Sequence, residues 1–392
     1  MPEIKTTVGL VSVKVLNVCS NFGAVTGGGE AERSFQMTKS LLATGITVNV
    51  LTIDNDLDGP RKQAFGKGGV IALPCVSSRF YVPLVRPGFI RKIVGQADVI
   101  HLIGHWTVLN AMVYMAAMRA QKPYVICPAG ALSIFGRSRL LKKLYNFVIG
   151  DKIIRNAAMC IAVTNDESLY FQSSGVPEKK IQIIPNGIAS RDFLSSDVTG
   201  FRQKFKLGVN PFILFVGRLN PIKGPDLLLQ AFFNLREVLK NVSLVFVGPD
   251  GGMLSELTAF ALRHGMENRV HFVGYLGGAE KSDAYHAADL LVIPSRHEAM
   301  SIVALEAGIC GTPVLLTDQC GFDEVSATGG GLVVPASVDG LQHGLTTFFA
   351  SPAMKQTAGI NLKAYVSKHF SWDVICEAYT SLYSRLMAGR LS

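Results

Sequence analysis

Residues 212–235 read FILFVGRLNPIKGPDLLLQAFFNL. The five apolar residues that open this stretch predict a buried strand, and the apolar spacing after Pro225 predicts a helix that continues to Val238. A loop with a glycine at each end, Gly217–Gly224, joins the two elements. A strand that passes through a glycine loop into a helix is half of a βαβ unit, which builds parallel sheets with helices on both faces.

The alternation of strands and helices continues along the chain in two series, separated by the polar stretch 190–199. The first series predicts strands at 13–18, 47–53, 99–103, 124–127, 159–163 and 181–184, with helices at 30–44 and 109–120. The second predicts strands at 212–216, 242–247, 270–273, 290–293 and 313–316, with helices at 225–238 and 252–264. We therefore expect an α/β protein of two Rossmann-like domains, residues 1–193 and 194–370, with a ligand cleft between them. The last segment, 371–392, contains an amphipathic helix.

The composition indicates a globular protein, because 48% of the 392 residues are hydrophobic and only 17% are charged. The seven cysteines are scattered and include no Cys-x-x-Cys pair, so we expect free thiols in a reducing compartment, without disulfides or a zinc site. No leader peptide and no apolar run of roughly 18–20 residues is recognisable. These features predict a cytoplasmic protein.

The net charge of +9 lies entirely in the first half of the chain. Residues 1–200 contain 22 Lys and Arg against 13 Asp and Glu, whereas residues 201–392 contain 16 of each. This asymmetry suggests that one half faces a polyanion or an anionic membrane surface. A solvated basic face without a partner is the alternative.

The stretch 136–148, GRSRLLKKLYNFV, concentrates this charge. Leu140, Leu144 and Phe147 recur at helical spacing, so a basic amphipathic helix for the membrane surface is predicted. A normal domain helix, packed on the sheet with its charges in water, is the alternative. The four cations proposed for the membrane and acceptor side are Arg137, Arg139, Lys142 and Lys143.

Residues 294–308, PSRHEAMSIVALEAG, follow a predicted strand. A helix that opens between Glu298 and Ser301 would point free N–H groups outward, and such groups bind phosphate. Glu306 would lie about two turns into that helix, on roughly the same face as Glu298. A carboxylate there can accept two hydrogen bonds from a ribose diol. An ordinary helix with a capping and an exposed glutamate is the alternative.

The loop after strand 212–216 places Arg218 and Lys223 at the carboxyl edge of the predicted sheet. Two cations there can neutralise a diphosphate leaving group, which must carry away negative charge. A surface loop whose basic residues are merely solvated is the alternative.

Together these motifs resemble glycosyltransferase family 4 (glycosyl transferases group 1), retaining enzymes with the GT-B fold, over nearly the whole chain. Gly217–Gly224 resembles the diphosphate loop of that family, and Glu298–Glu306 resembles its paired-glutamate motif. Gly27–Gly29 resembles its N-terminal glycine loop. The segment with Trp372 and Tyr379 resembles the C-terminal helix that crosses back onto the N-terminal domain. Asn186-Gly187 resembles the turn before the interdomain linker.

The resemblance also implies roles. Arg218 and Lys223 would hold the β-phosphate, and Glu306 would bind the ribose. Glu298 would contact donor-sugar hydroxyls or steady the cationic sugar ring. His105 is a candidate replacement for a histidine that the family often has where this chain has Ala129, and a structural histidine is the alternative. The backbone positions implied in donor binding are Gly28, Gly29 and Gly217, together with the N–H groups of Met300, Ser301 and Ile302.

The function implied is the transfer of a hexose from a UDP- or GDP-sugar to a glycan or polyprenyl-diphosphate-linked acceptor. In bacteria this activity serves lipopolysaccharide, capsule or exopolysaccharide synthesis, here with peripheral attachment to the inner face of the plasma membrane. Neither a metal nor a cofactor is expected, because the cations and the helix dipole would take the place of a metal. A sugar-nucleotide epimerase of the same fold is the nearest alternative. A basic nucleic-acid-binding protein is a further one, although no nucleic-acid module is recognisable.

Overall fold

The computed structural model describes residues 13–25, 27–55, 57–77, 81–134 and 138–389. They form two compact units. One unit ends at Pro185 and takes up the chain again at Trp372, and the other is Asn186–Ser371. The polar stretch 190–199, which the sequence suggested as the linker region, belongs to the second unit. Its Ser195 hydroxyl and Asp197 N–H both donate to Asp283 Oδ1, at 2.7 and 2.9 Å. The second unit begins at Asn186, eight residues before the predicted start at residue 194.

Within the described residues, the first unit contains an eight-stranded sheet. Its strands are β1 (Lys14–Val18), β2 (Thr47–Asp54), β3 (Val70–Ser77), β4 (Val82–Pro83), β5 (Val99–Ile103), β6 (Tyr124–Cys127), β7 (Met159–Ala162) and β8 (Ile181–Ile183). The order is β4-β3-β2-β1-β5-β6-β7-β8, and the pairs are parallel except β3 with β4. The helices are α1 (Gly28–Ala43), α2 (Gly59–Gln63), α3 (Pro87–Gln96), α4 (Val108–Arg119), α5 (Arg139–Tyr145), α6 (Asp151–Arg155) and α7 (Asn165–Ser173), with a π-helical turn at Asn146–Gly150.

The second unit contains a six-stranded, all-parallel sheet among its described residues. Its strands are β9 (Phe212–Val216), β10 (Ser243–Val247), β11 (Val270–Gly274), β12 (Leu290–Ile293), β13 (Val314–Thr317) and β14 (Gly331–Val334), in the order β11-β10-β9-β12-β13-β14. The helices are α8 (Val198–Lys204), α9 (Pro225–Asn234), α10 (Leu254–Arg263), α11 (Gly278–Ala287), α12 (Ile302–Cys310), α13 (Glu324–Ala327), α14 (Val338–Ala350) and α15 (Pro352–His369).

The last helix, α16 (Trp372–Ala388), packs on the first unit, as the resemblance predicted. Arg33 on α1 donates to the Tyr379 hydroxyl at 2.6 Å, and Tyr383 Oη lies 2.8 Å from His101 Nδ1 on β5. All four side chains are buried. The C-terminal helix is therefore a part of the first domain rather than an appendage of the second.

The prediction of two parallel α/β sheets is confirmed, and every predicted strand is present with its ends shifted by no more than a residue or so. In each sheet the strand order reverses once, between β1 and β5 in the first and between β9 and β12 in the second. Ligands of such sheets bind at the carboxyl ends of the strands that flank the reversal, because the adjacent loops diverge there. The sequence motifs 217–224 and 294–301 follow β9 and β12, so both lie at the reversal of the second sheet.

Candidate functional site

Two loops meet at the carboxyl ends of β9 and β12. Arg296 in the second loop donates from its backbone N–H to the Ile222 carbonyl oxygen at 2.7 Å, and its guanidinium forms two hydrogen bonds with the Asp226 carboxylate at 2.9 and 2.6 Å. Gly224 has a φ of +65°, and a Cβ there would lie 2.1 Å from the Pro294 carbonyl oxygen. A glycine is therefore required for this close approach of the loops.

The approach brings Lys223 against Glu298. Lys223 Nζ lies 2.8 Å from Glu298 Oε1, and the glutamate side chain is only 8% exposed. The Ser295 hydroxyl donates to the same oxygen. Burial raises the pKa of Glu298, but the charge and hydrogen bonds of Lys223 and the Ser295 hydroxyl outweigh burial, so the pKa lies below its ordinary value. Glu298 is thus a buried carboxylate that stays ionised at neutral pH.

Arg218 lies on the same loop as Lys223 and is exposed. The segment after β10 holds this loop in place. The Leu219 N–H donates to the Pro249 carbonyl oxygen at 3.0 Å, and the Leu219 carbonyl oxygen accepts from the Gly251 N–H at 3.0 Å. Gly248 has no room for a side chain, since a Cβ would lie 2.0 Å from the Gly217 carbonyl oxygen. The loop that carries both predicted phosphate ligands is therefore held against the end of β10.

The predicted phosphate cradle at the start of α12 is smaller than expected. The helix begins at Ile302, and the Ser301 N–H already donates to the Cys320 carbonyl oxygen at 3.0 Å. The prediction that Ser301 offers its N–H to a phosphate is wrong for this conformation, and the cradle is reduced to the N–H groups of Met300 and Ile302. The Met300 carbonyl oxygen accepts from Asn186 Nδ2 at 3.0 Å, which fixes the turn.

Glu306 lies about one turn into α12, whereas Glu298 precedes the helix, so the two do not share a helix face as predicted. Glu306 is 3% exposed. Lys281 Nζ lies 2.7 Å from Oε1, and the Tyr285 hydroxyl donates to Oε2 at 2.6 Å. Each oxygen of the carboxylate keeps one further lone pair with which to accept from a ligand hydroxyl.

Lys281 and Tyr285 are site residues that the sequence analysis missed. Both lie on α11, one turn apart, and therefore on one face of that helix. Their spacing was visible in the sequence, but nothing local indicated that this face would contact Glu306. Burial and the charge of Glu306 raise the pKa of the Tyr285 hydroxyl, so it stays a hydrogen-bond donor.

The predicted glycine loop of the first unit, Gly27–Gly29, is not a separate loop. Gly28 and Gly29 are the first residues of α1, and both are exposed. Gly28 has a φ of +61°, and a Cβ on Gly27 would lie 2.2 Å from Ala31 Cβ. The expected loop is the first turn of a helix, whose N–H groups can still receive an anion.

His105 is 1% exposed. Its Nε2 lies 3.1 Å from Asn146 Oδ1, and its ring contacts those of Trp106 and Tyr145. Burial lowers the pKa of His105 to about 4, although the hydrogen bond to Asn146 Oδ1 opposes this, so the ring is neutral at physiological pH. These contacts agree with the alternative of a structural histidine at the end of a strand.

The basic helix α5 contacts the core of the first unit through Tyr145 and not through its leucines. None of the seven side chains of α5 is fully buried, and its Leu140, Leu141 and Leu144 are exposed. Arg139 and Lys143 are exposed, whereas Lys142 Nζ lies 4.1 Å from the centre of the Trp106 ring, and burial lowers its pKa. The fourth predicted cation, Arg137, lies outside the described residues.

All seven cysteines are free thiols. In the described part of the chain, no three His, Cys, Asp or Glu side chains are grouped so that they could hold a metal ion. A search of those same residues finds no helix with the length and apolarity required to span a bilayer.

Two family models match the chain, one in each unit. Residues 28–187 match the glycosyl transferase 4-like domain, and residues 199–364 match the glycosyl transferases group 1. The D-inositol 3-phosphate glycosyltransferase of Gordonia bronchialis is 33% identical over 253 residues, which are 61% of this chain and 55% of that protein. The chain thus matches little more than half the length of this relative.

The fold is that of known glycosyltransferases. Alr3699/HepE of Anabaena, crystallised with UDP and glucose, superposes with a TM-score of 0.78 at 21% identity, over 95% of this chain and 100% of that one. WaaG, a glycosyltransferase involved in lipopolysaccharide biosynthesis, superposes with a TM-score of 0.68 at 20% identity, over 94% and 99% of the chains. The two sheets are therefore those of the GT-B fold. Residues 28–187 and 199–364 together make up most of the chain, and their matches to the two family models show that it belongs to the group 1 glycosyltransferases.

Proposed function

We propose that the chain is a retaining glycosyltransferase that moves a hexose from a nucleotide-diphosphate sugar to an acceptor. The observation that carries this proposal is the pairing of Lys223 with Glu298 at the carboxyl ends of β9 and β12. The loop that contains Lys223 also carries the exposed Arg218. When the donor bond breaks, negative charge collects on the diphosphate and positive charge on the sugar ring. The pair offers a cation for the first and a carboxylate for the second.

Each group has a defined part in this reaction. Arg218 and Lys223 neutralise the departing diphosphate, and the N–H groups at the start of α12 add hydrogen bonds and the helix dipole. Glu298, which Lys223 keeps ionised, steadies the sugar ring or accepts hydrogen bonds from its hydroxyls. Glu306, held by Lys281 and Tyr285, accepts the ribose hydroxyls.

The donor is proposed to be a UDP-sugar first and a GDP-sugar second. The crystal structure of the similar Alr3699/HepE with UDP and glucose supports the first choice. A thermal-shift screen with UDP-, GDP- and ADP-sugars tests the proposal, because a ligand at one hundred times its Kd stabilises the folded state by about 2.7 kcal/mol. The shift should become smaller in Lys223→Ala and stay unchanged in Lys240→Ala, which removes an exposed lysine elsewhere in the second unit. No shift with any nucleotide sugar would contradict the proposal.

An epimerase of the same fold would bind the same donors without needing an acceptor. The two activities differ in whether consumption of the nucleotide sugar depends on an added acceptor. Conversion of one nucleotide sugar into another, with no nucleotide diphosphate released, would favour the epimerase.

The acceptor is proposed to be a glycan or a sugar on polyprenyl diphosphate, in lipopolysaccharide, capsule or exopolysaccharide synthesis at the inner face of the plasma membrane. The net positive charge of residues 1–200 and the exposed Arg139 and Lys143 support an acceptor at an anionic surface. Transfer of labelled sugar to a polyprenyl-diphosphate-linked acceptor, compared with the same glycan in free form, tests this choice. Equal rates on both would contradict a lipid-linked substrate.

A further inference from the structure

The segment made of α5 and the π-helical turn exposes a continuous apolar surface. Leu140 and Phe147 are 81% and 84% exposed, and Leu141, Leu144 and Val148 are each more than half exposed. Positions 140, 144, 147 and 148 follow one another at helical spacing, so four of the five lie along one side of the segment. A soluble surface rarely presents so many large apolar side chains together unless they meet a partner.

The segment is fastened to the domain by other residues, on its opposite side. The Tyr145 hydroxyl donates to the Thr107 carbonyl oxygen at 3.0 Å. Asn146 Oδ1 accepts from Trp106 Nε1 at 2.8 Å and lies 3.1 Å from His105 Nε2. Lys142 lies over the face of the Trp106 ring. The anchoring contacts thus leave the apolar side chains pointing away from the domain.

The charge around this surface selects the kind of partner. Between residues 99 and 150 the sequence contains six Lys or Arg and no Asp or Glu. Arg139 and Lys143 are exposed and interleaved with the apolar side chains. A second copy of the chain would bring these cations against each other, and an acidic protein would leave the apolar surface unexplained. An anionic bilayer offers negative headgroups and an apolar interior together.

We propose that Leu140, Leu144 and Phe147 insert into the boundary between headgroups and acyl chains of an anionic bilayer, while Arg139 and Lys143 bind the headgroup phosphates. The contacts of Asn146 with His105 and Trp106 place this segment beside the carboxyl end of β5. The strand order of the first sheet reverses beside β5. Insertion therefore brings this edge of the sheet to the membrane surface. The proposal rests on the proposed function, because a lipid-linked acceptor would reach the enzyme at that edge of the sheet.

Tryptophan fluorescence tests insertion directly. Phe147→Trp should show a blue-shifted emission when vesicles of phosphatidylcholine and phosphatidylglycerol are added, and quenching when the lipids carry bromine on their acyl chains. Val209→Trp, at a position 97% exposed in the second unit, is the matched control and should show neither change. The difference spectrum against the wild type removes the signal of the two native tryptophans. No blue shift and no quenching in Phe147→Trp would overturn the proposal.

Vesicle flotation separates insertion from electrostatic attraction alone. High salt should weaken wild-type binding but leave a remainder, because salt screens charges and not apolar contacts. Leu144→Ser/Phe147→Ser should lose about a hundredfold or more in vesicle affinity and the whole salt-resistant part, since the burial of each large apolar side chain is worth about tenfold or more. Leu194→Ser/Val209→Ser, which changes two exposed residues of the second unit, should float like the wild type.

Two further measurements distinguish the possible failures. Calorimetric binding of UDP or GDP should be unchanged in Leu144→Ser/Phe147→Ser, so a loss of flotation with intact nucleotide binding isolates the membrane contact. Wild-type binding that high salt abolishes completely, with no effect of the serine variant, would overturn insertion while leaving the glycosyltransferase proposal in place. A wild-type dimer that Leu144→Ser/Phe147→Ser dissociates would assign the surface to a second copy and overturn the proposal.

Discussion

Lys223 Nζ lies 2.8 Å from Glu298 Oε1, and the two residues come from loops that follow different strands, β9 and β12. The pair sits where the strand order of the second sheet reverses. Glu298 is nearly buried, so removing its partner would leave a charge without compensation in a place that water reaches poorly. The ionisation of Glu298 and the position of Lys223 are therefore linked.

The first prediction concerns turnover. Lys223→Ala and Arg218→Ala should each lower kcat by about 10²–10³-fold, because each removes a cation aimed at charge that develops on the leaving diphosphate. Steady-state kinetics with saturating donor measure this, with Lys240→Ala as the control. Full turnover in both variants would show that the loop plays no part in the chemistry.

The second prediction concerns stability against pH. The pKa of Glu298 is lower in the folded chain than its ordinary value of 4.5, so the unfolded chain takes up the proton first as the pH falls. The stabilisation by this carboxylate is thus complete above pH 4.5 and is lost as the pH falls through the folded-state pKa. The difference in Tm between the wild type and Glu298→Gln should shrink below that pH. A difference that stays constant with pH would contradict the shift.

The third prediction concerns nucleotide binding by Glu306. Glu306→Gln should weaken the binding of the free nucleotide diphosphate by roughly 1.5–3 kcal/mol, because a hydrogen bond to a charged group is lost. Isothermal titration calorimetry measures the change. An unchanged Kd would remove Glu306 from the nucleotide site.

The fourth prediction concerns Lys281, which pairs with the same carboxylate. Lys281→Met should lower the free energy of unfolding by about 3–5 kcal/mol, because Glu306 is then a buried charge without its cation. The double variant Lys281→Met/Glu306→Gln should recover much of this loss. Urea unfolding of the wild type, both single variants and the double variant completes the cycle, and additive effects would show that the two residues are not coupled.

The fifth prediction concerns Gly224, whose φ of +65° nearly equals the +63° of Gly265. A Cβ on Gly265 would have no atom within 4 Å. Gly265→Ala should therefore lower the free energy of unfolding by about 1–2 kcal/mol, through its left-handed backbone conformation alone. Gly224→Ala adds the clash with the Pro294 carbonyl oxygen, so it should destabilise more and also reduce activity by displacing Lys223. Equal Tm values for the two variants would contradict the close packing of the loops.

Much of the fold was predictable because its signals are local. Five consecutive apolar residues gave the bounds of β9, and the run Val99–Ile103, apolar except for His101, gave those of β5. Strand β3 was missed because Pro74 interrupts its sequence. Helix α14 was missed because Gly340 and Gly344 weaken its pattern, although both are buried and pack too closely for a side chain.

The candidate site was predictable only in its residue types. The motifs placed Lys223 and Glu298 on neighbouring loops, but their direct contact depends on how two distant segments pack. The Ser301 N–H was expected to be open, and its acceptor, the Cys320 carbonyl oxygen, comes from a loop after β13. The pairing of Lys281 with Glu306 was unpredictable for the same reason, because no local sequence pattern shows which face of α11 packs against α12.

The central claim is that this site transfers a hexose with retention and without a metal, and one NMR experiment tests it most directly. The protein is incubated with a UDP- or GDP-sugar and a polyprenyl-diphosphate-linked acceptor in excess chelator, and the anomeric signal of the first product is recorded. The account predicts release of nucleotide diphosphate, undiminished by the chelator, and a product with the anomeric configuration of the donor. An inverted product, or activity that returns only when Mg²⁺ or Mn²⁺ is supplied, would contradict it.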